Sequence, residues 1–425
     1  MSSSSHKEAL LLPRNFTLRA QYLFGSIKFP CSLCVFFRGM FLFLLLAFPA
    51  HAERRYSLGH SMDFTGGVGN QVGQSSFRLQ ESAPFYAVYP SMNLQSVGEH
   101  SSLNLGYTFS AERFRMSSDN LTTTSHVATA GFAAQLGNRA RLRLSDHFDT
   151  MPNYSTINVL KGFIITPTGF QYAFEPQLNK TFSMSNSGNI GVDVNLTSAS
   201  YLTFDGTGSY RHYNDTANHT FFSDQLRTEG SFAYNRKHST RTTWSLKYAY
   251  RQNDYKDFDT ARTHSASLGV SRVLSPGWTL NLEAGAAYVQ SDAYTSYVVD
   301  ANIAKQASTN RFDAGYAHYA GDSTGIGGAS ESHQGRLGFM QSLGRTTTLS
   351  FQASAFRQNQ RGTGAYDYWG AAGSAALSQK LGKYFVASVG VSYTTNLGDS
   401  RIGYTYKRAY ISIGYRFPEL WKTEK

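Results

Sequence analysis

From residue 56 onward, apolar and polar positions alternate with period two in one segment after another. The first segment is faint: Tyr56, Leu58, Met62, Phe64 and Val68 alternate with Ser57, Ser61, Asp63 and Thr65. The second is plain, with Tyr86, Val88, Met92 and Leu94 set against Ala87, Ser91, Asn93 and Gln95. The third sets Leu103, Leu105, Tyr107 and Phe109 against Asn104, Gly106, Thr108 and Ser110. Successive side chains of a strand point to opposite faces, so each segment predicts a strand with one apolar and one polar face. Later segments repeat the pattern with heavier aromatics. Trp244, Leu246, Tyr248 and Tyr250 oppose Thr243, Ser245, Lys247, Ala249 and Arg251. Trp278, Leu280, Leu282, Ala284 and Tyr288 oppose Thr279, Asn281, Glu283 and Gly285. Phe385, Ala387, Val389, Val391 and Tyr393 oppose Ser388, Gly390 and Ser392. The segments run about 10–14 residues, against about 5–6 for most soluble strands, and lipid-spanning strands need about 9–11.

The connections alternate in length. Tight turns are expected near Gly98, Gly137-Asn138, Thr197-Ser198, His238-Ser239, Ser275-Pro276-Gly277, Ala307-Ser308, Gly344-Arg345 and Gly382-Lys383. Polar connections, usually longer and rich in Asn, Asp, Ser, Thr and Gly, separate the resulting hairpins, the longest over 150–186. Eight hairpins and a final downward strand over 405–417 require one upward strand before residue 85. The segment 56–68 supplies it, for 18 antiparallel strands; with 56–68 and 85–96 left out of the wall, the alternative is 16. A propeller blade would fit four short strands into the length that here holds two long ones.

Composition narrows the class. The chain is 41% hydrophobic and 14% aromatic, with a mean hydropathy of −0.34. After the N-terminus no apolar run is long enough for a spanning helix. Residues 1–52 read as an export signal: an apolar core Met40–Phe48 follows Lys28 and Arg38, Pro49 ends it, and Ala50-His51-Ala52 is a small-x-small cleavage site. Both cysteines, Cys31 and Cys34, precede that site, so the exported portion holds neither a disulfide nor a thiolate metal site. Removing 1–52 takes away five basic residues and one acidic residue, and the formal charge falls from +11 to +7. An exported basic chain faces anionic leaflets or anionic solutes rather than nucleic acid.

The segment Lys407–Phe417 fits an amphipathic strand of a soluble sheet or of a membrane barrel, and the long, aromatic-rich apolar faces of the other segments favour the barrel. Ala409, Ile411, Ile413, Tyr415 and Phe417 share one face, Tyr410, Ser412, Gly414 and Arg416 the other, and the segment ends in aromatic–x–aromatic. It resembles the last strand of bacterial outer-membrane β-barrels, where Tyr415 and Phe417 would serve as the insertion signal. The resemblance implies an all-β transmembrane antiparallel barrel over 53–417 in the cell outer membrane, porin-like, with short periplasmic turns, longer extracellular loops and a tail over 418–425. It implies outer-membrane lipid, lipopolysaccharide and the barrel-assembly machinery as partners, with small hydrophilic solutes in the lumen. In general diffusion porins the third extracellular loop folds inward. The connection 150–186 has that position and length, but its only acid is Glu175, beside Lys161 and Lys180.

The inward charges are the candidate functional residues. Arg139, Arg141 and Arg143 fall on one face and form a basic row along the lumen. Arg211, Lys247, Arg251, Arg336 and Arg416 also read as inward, with Asp193, Asp205, Glu283, Asp300 and Asp313 as inward acids. Charges on a lumen wall set ion preference through a focused field. No catalytic set is expected. His147 shares a face with Asp149 but has no evident nucleophile, and Asp146 lies on the opposite face. The histidines lack His-x-x-x-His spacing, and Gly206-Thr207-Gly208 does not open a helix, so no metal and no cofactor is expected. The reading is a non-enzymatic, passive diffusion channel of weak anion preference. The alternative is a closed barrel serving as a surface adhesion or polysaccharide-export scaffold.

Overall fold

The computed structural model describes residues 55–72, 80–115, 120–151, 164–166, 169–171, 183–213, 224–256, 259–320, 330–360, 367–397, 404–417 and 421–422. Residues 1–52, expected to be an export signal, lie outside them, as do Lys161, Glu175 and Lys180.

Strands make up nearly all of the described chain. In order they are β1 (Arg55–Val72), β2 (Gln80–Val97), β3 (Ser101–Arg115), β4 (Asn120–Leu136), β5 (Ala140–Met151), β6 (Ile164–Thr166) and β7 (Gly169–Gln171). There follow β8 (Ser183–Asn195), β9 (Ser200–Tyr213), β10 (Gln225–Ser239), β11 (Thr242–Tyr255), β12 (Ala261–Ser275), β13 (Trp278–Val289) and β14 (Tyr294–Gln306). The last are β15 (Asn310–Ala320), β16 (Ser330–Ser342), β17 (Thr347–Gln360), β18 (Asp367–Leu381), β19 (Phe385–Leu397), β20 (Tyr404–Arg416) and β21 (Trp421–Lys422). Strands β1–β5 and β8–β20 each pair antiparallel with their sequence neighbours. β1 then pairs with β20, from Ser61 opposite Arg416 to Gly69 opposite Arg408. The sheet therefore closes into an 18-stranded barrel, the larger of the two expected counts. Strands β6 and β7 form a separate small hairpin within the longest connection.

The facing follows the alternation. Ile411 is 65% exposed and Ile413 51%, while Arg408 and Tyr410, on the other face of the same strand, are each 3% exposed. Leu268, Leu246, Val391, Val389 and Leu282 are likewise exposed on the outer face. An apolar outer face on a closed sheet leaves no backbone edge and no polar side-chain face for lipid to cover, which is the condition for spanning a bilayer with strands. The chain is a transmembrane β-barrel of the outer-membrane type.

The turns expected from the sequence to be tight lie at one end, the periplasmic end of such barrels, while the four-residue turn 290–293 joins β13 to β14 at the other. Gly137, Gly277, Gly344 and Gly382 hold positive φ in four of them, where a Cβ would be strained. The expected turn at His238-Ser239 sits slightly later, at 240–241, because β10 continues to Ser239 through a register shift after Lys237. Trp244 and Trp278 lie near this end on the outer face, and Lys305 Nζ lies 5.5 Å over the Trp278 ring. Such aromatics anchor a barrel at the membrane interface.

The faintness of the first segment has a structural reason. In β1 the inward positions 67 and 69 are glycines, lying opposite Tyr410 and Arg408 of β20. A Cβ on Gly67 would lie 2.8 Å from the Tyr410 Cα, and one on Gly69 would lie 2.9 Å from the Arg408 Cγ. Space for the neighbouring strand's side chains replaces the polar residues that would have marked the alternation.

Candidate functional site

Two walls of the lumen differ in chemistry. The first runs over β20, β1, β2 and β3 and is built around Arg408. Its guanidinium carbon lies 4.4 Å from the Phe85 ring centre, 5.1 Å from Phe114 and 4.8 Å from Tyr406. Arg408 Nη2 donates to Glu112 Oε2 at 2.8 Å, and the Tyr89 hydroxyl donates to Glu112 Oε1 at 2.8 Å. Arg408 belongs to β20 and Glu112 to β3, so the side chain crosses over both β1 and β2. It can do so because Gly69 offers no side chain beneath it and because Ala83 and Ala87 are small. Phe85, Phe114 and Tyr410 pack together beside it, all nearly inaccessible. Lower on this wall, Arg416 Nη1 donates to Asp63 Oδ1 at 2.8 Å.

The second wall, over β5 to β16, carries the charges expected from the sequence. Arg143 Nη2 lies 3.1 Å from Asp193 Oδ1 and 3.2 Å from Asp205 Oδ1. Gly191, opposite Arg143, leaves room for this, since a Cβ there would meet the guanidinium at 3.0 Å. Glu229 Oε2 accepts from Arg227 Nη2 and Arg251 Nε, each at 3.0 Å. Lys247 Nζ lies 3.9 Å from Glu283 Oε1, and the Ser267 hydroxyl donates to the same oxygen at 2.6 Å. Asp300 stands directly opposite Glu283 across β13 and β14, accepts from the Tyr319 hydroxyl at 3.2 Å and feels the charge of Arg336. Arg211 of β9 faces Ser185 and Gln225 across its neighbours. Asp313 is buried.

The arginine row is therefore not uniform. Arg143 is held between two carboxylates. Arg141 is an exposed strand residue opposite Asp193. Arg139 precedes β5 in the turn 137–139, and its carbonyl accepts from Asn195 N at 2.7 Å. Arg408, Glu112 and Tyr89 were not among the sequence candidates. The signal that could have located them is the pair Gly67 and Gly69, but a glycine names its opposite residues only once the register between the first and last strands is known.

His147 Nε2 lies 3.7 Å from Asp149 Oδ2, and the Ser185 hydroxyl is hydrogen-bonded to Asp149. Here the carboxylate stands between serine and histidine, so the histidine is not placed to take the serine's proton. Tyr415 and Phe417 pack edge to face at 4.3 Å, and Phe417 stacks on His60 of β1 at 3.9 Å. Beyond them Trp421 and Lys422 pair with Leu58 and Ser57. Among the described residues no group of three or more His, Cys, Asp and Glu side chains could hold a metal.

No family model and no curated protein matches the chain. Solved structures do resemble it at the level of the barrel. The crystal structure of Pseudomonas aeruginosa OccK5 (OpdH) has a TM-score of 0.41 at 12% identity, over 85% of this chain and 99% of that one. OccK2 (OpdF) of the same organism, in complex with glucuronate, has a TM-score of 0.43 at 12% identity, over 86% of this chain and 97% of its own. The P. aeruginosa siderophore receptor PirA scores 0.41 at 10% identity, over 85% and 80% of the two chains. The OccK proteins and a siderophore receptor thus resemble this chain to the same degree, and the likeness carries no functional argument.

Proposed function

We propose that the barrel is a passive outer-membrane channel for small hydrophilic solutes, with a weak preference for anions. Strand number supports the channel: barrels of 16–18 strands enclose an aqueous lumen rather than a packed core. The polar inner wall supports hydrophilic solutes. The observation that carries the weakness of the preference is the pairing of the wall charges, with Arg143 between Asp193 and Asp205 and Glu229 between Arg227 and Arg251. Paired charges leave a small net field, so selectivity falls to the remainder, to which the exposed Arg139 and Arg141 contribute positive charge.

The test is single-channel recording of the refolded barrel in a planar bilayer. Stepwise, ohmic conductance with a small anion-directed reversal potential in a salt gradient is the expected result. A properly folded barrel that inserts and stays silent would replace the channel with the closed scaffold reading.

A further inference from the structure

The outer face carries a feature unrelated to the lumen. On β3 and β4, Tyr107 and His126 are joined by a 2.8 Å bond between the Tyr hydroxyl and His Nδ1. The same bond recurs at 2.8 Å between Tyr248 and His264 and between Tyr316 and His333. In all three the histidine lies opposite the second residue after the tyrosine: Phe109, Tyr250 and His318. Each tyrosine is on an upward strand and exposed on the lipid side, and each histidine is on the next downward strand. A half-apolar, half-polar pair of this kind suits the boundary between acyl chains and headgroups.

Directly above the first pair, the outer face becomes basic. Arg113 and Arg115 are exposed and stand four and six residues beyond Phe109, about 13–20 Å along the strand at about 3.3 Å per residue. Thr122 lies opposite Arg113 and Thr124 opposite Ala111, both exposed. Tyr86 of β2 lies opposite Arg113 on the other side and is 56% exposed. No acidic side chain among the described residues shares this outward face on β2, β3 or β4. The outward acid on the next strand, Asp146 of β5, is hydrogen-bonded to Asn186.

We propose that Arg113, Arg115, Thr122, Thr124 and His126 form a docking surface for a phosphorylated glycolipid of the outer leaflet, of the lipid A class. Two guanidinium groups and two hydroxyls on adjacent strands match phosphate oxygens, and arginine binds them in a bidentate manner. When Tyr107 donates to His126 Nδ1, the imidazole Nε2 carries a proton and adds a further donor. The argument for a lipid rather than free phosphate is continuity. The patch faces away from the lumen, at the extracellular end, and passes downward into Tyr107, Leu105 and Met92, an apolar surface for acyl chains.

The test uses the full refolded barrel in neutral detergent and measures binding of bisphosphorylated lipid A by native mass spectrometry. Folded state is checked by heat-modifiable migration on gels, and channel conductance is recorded separately. The Arg113→Gln/Arg115→Gln double variant is expected to bind at least about tenfold more weakly, as loss of charge-assisted bonds implies. Arg272→Gln, which removes an exposed outward arginine at the periplasmic end, is expected to bind as wild type. Dephosphorylated lipid is expected to bind weakly to every form, and millimolar inorganic phosphate is not expected to compete. Unchanged affinity in the double variant overturns the assignment. Equal competition by inorganic phosphate would mean an anion site with no lipid specificity and would overturn it too. A silent but lipid-binding barrel would leave this proposal standing and remove only the channel.

Discussion

Arg408 Nη2 and Glu112 Oε2 lie 2.8 Å apart although 296 residues separate them in the chain. Their side chains are 0% and 2% exposed, and the bond spans the junction where the last strand meets the first. It ties β20 to β3 over the two strands between them, and so reinforces the seam at which a barrel must close. Removing one partner of a buried ion pair leaves the other charge uncompensated and costs about 3–5 kcal/mol. Arg408→Met and Glu112→Gln are each expected to lower stability by about that much in a urea titration of the lipid-embedded barrel. Combining Arg408→Met with Glu112→Gln is expected to cost less than the sum of the two single replacements. Strict additivity would show that the two residues act independently.

The glycines beneath this bond are expected to be intolerant. A Cβ at Gly67 would collide with the Ala409 carbonyl oxygen of the neighbouring strand, whereas one at Gly59 or Gly131 would meet nothing within 4 Å. Gly67→Ala is expected to reduce the folded fraction on refolding, and Gly131→Ala to leave it near wild type. Equal yields for the two would mean that the β1–β20 junction is looser than its register implies.

Facing predicts a sharp contrast between neighbours on β13. Leu282 is 41% exposed on the lipid side, and Asn281 points inward. Leu282→Arg is expected to cost about 2–4 kcal/mol near the midplane, while Asn281→Arg is tolerated in the lumen. Unfolding titrations of both variants in the same lipid provide the comparison.

The arginine row is expected to split by role. Arg143→Gln leaves Asp193 and Asp205 facing each other without their shared cation, so it is expected to lower stability. The Arg139→Gln/Arg141→Gln double variant is expected to leave stability unchanged and to shift the reversal potential toward cation selectivity at low salt. At about 1 M salt the Debye length falls to about 3 Å, and the shift is expected to vanish. A shift that persists at high salt would point to a change of pore shape rather than of field.

At the C-terminal end, Phe417→Ala removes the stack on His60 and the edge contact with Tyr415. It is expected to slow assembly into vesicles more than truncation after Phe417, which among the described residues removes the short pairing of Trp421 and Lys422 with β1. Greater damage from truncation would move the insertion signal into the last residues.

The period-two alternation and the aromatic-ended final segment determined the fold class and the facing of the strands, and the alternating turn lengths left the count at 18 or 16. These are local properties: a strand's two faces follow from backbone geometry, and a turn's conformation from its own residues, as at Gly137 and Gly382. Candidate inward charges could be chosen on the same ground, since inward position along a strand is a matter of parity. Their partners could not be. Whether Arg143 stands free or between Asp193 and Asp205 depends on the register of β5, β8 and β9, which no single segment encodes. The seam lay furthest from the reach of sequence reading. Arg408 meets Glu112 only because closure brings the two ends of the chain side by side, and because Gly69 leaves a path across the first of the two strands between them. Pairing across a closed sheet is a property of the whole ring, and only the tertiary structure decided it.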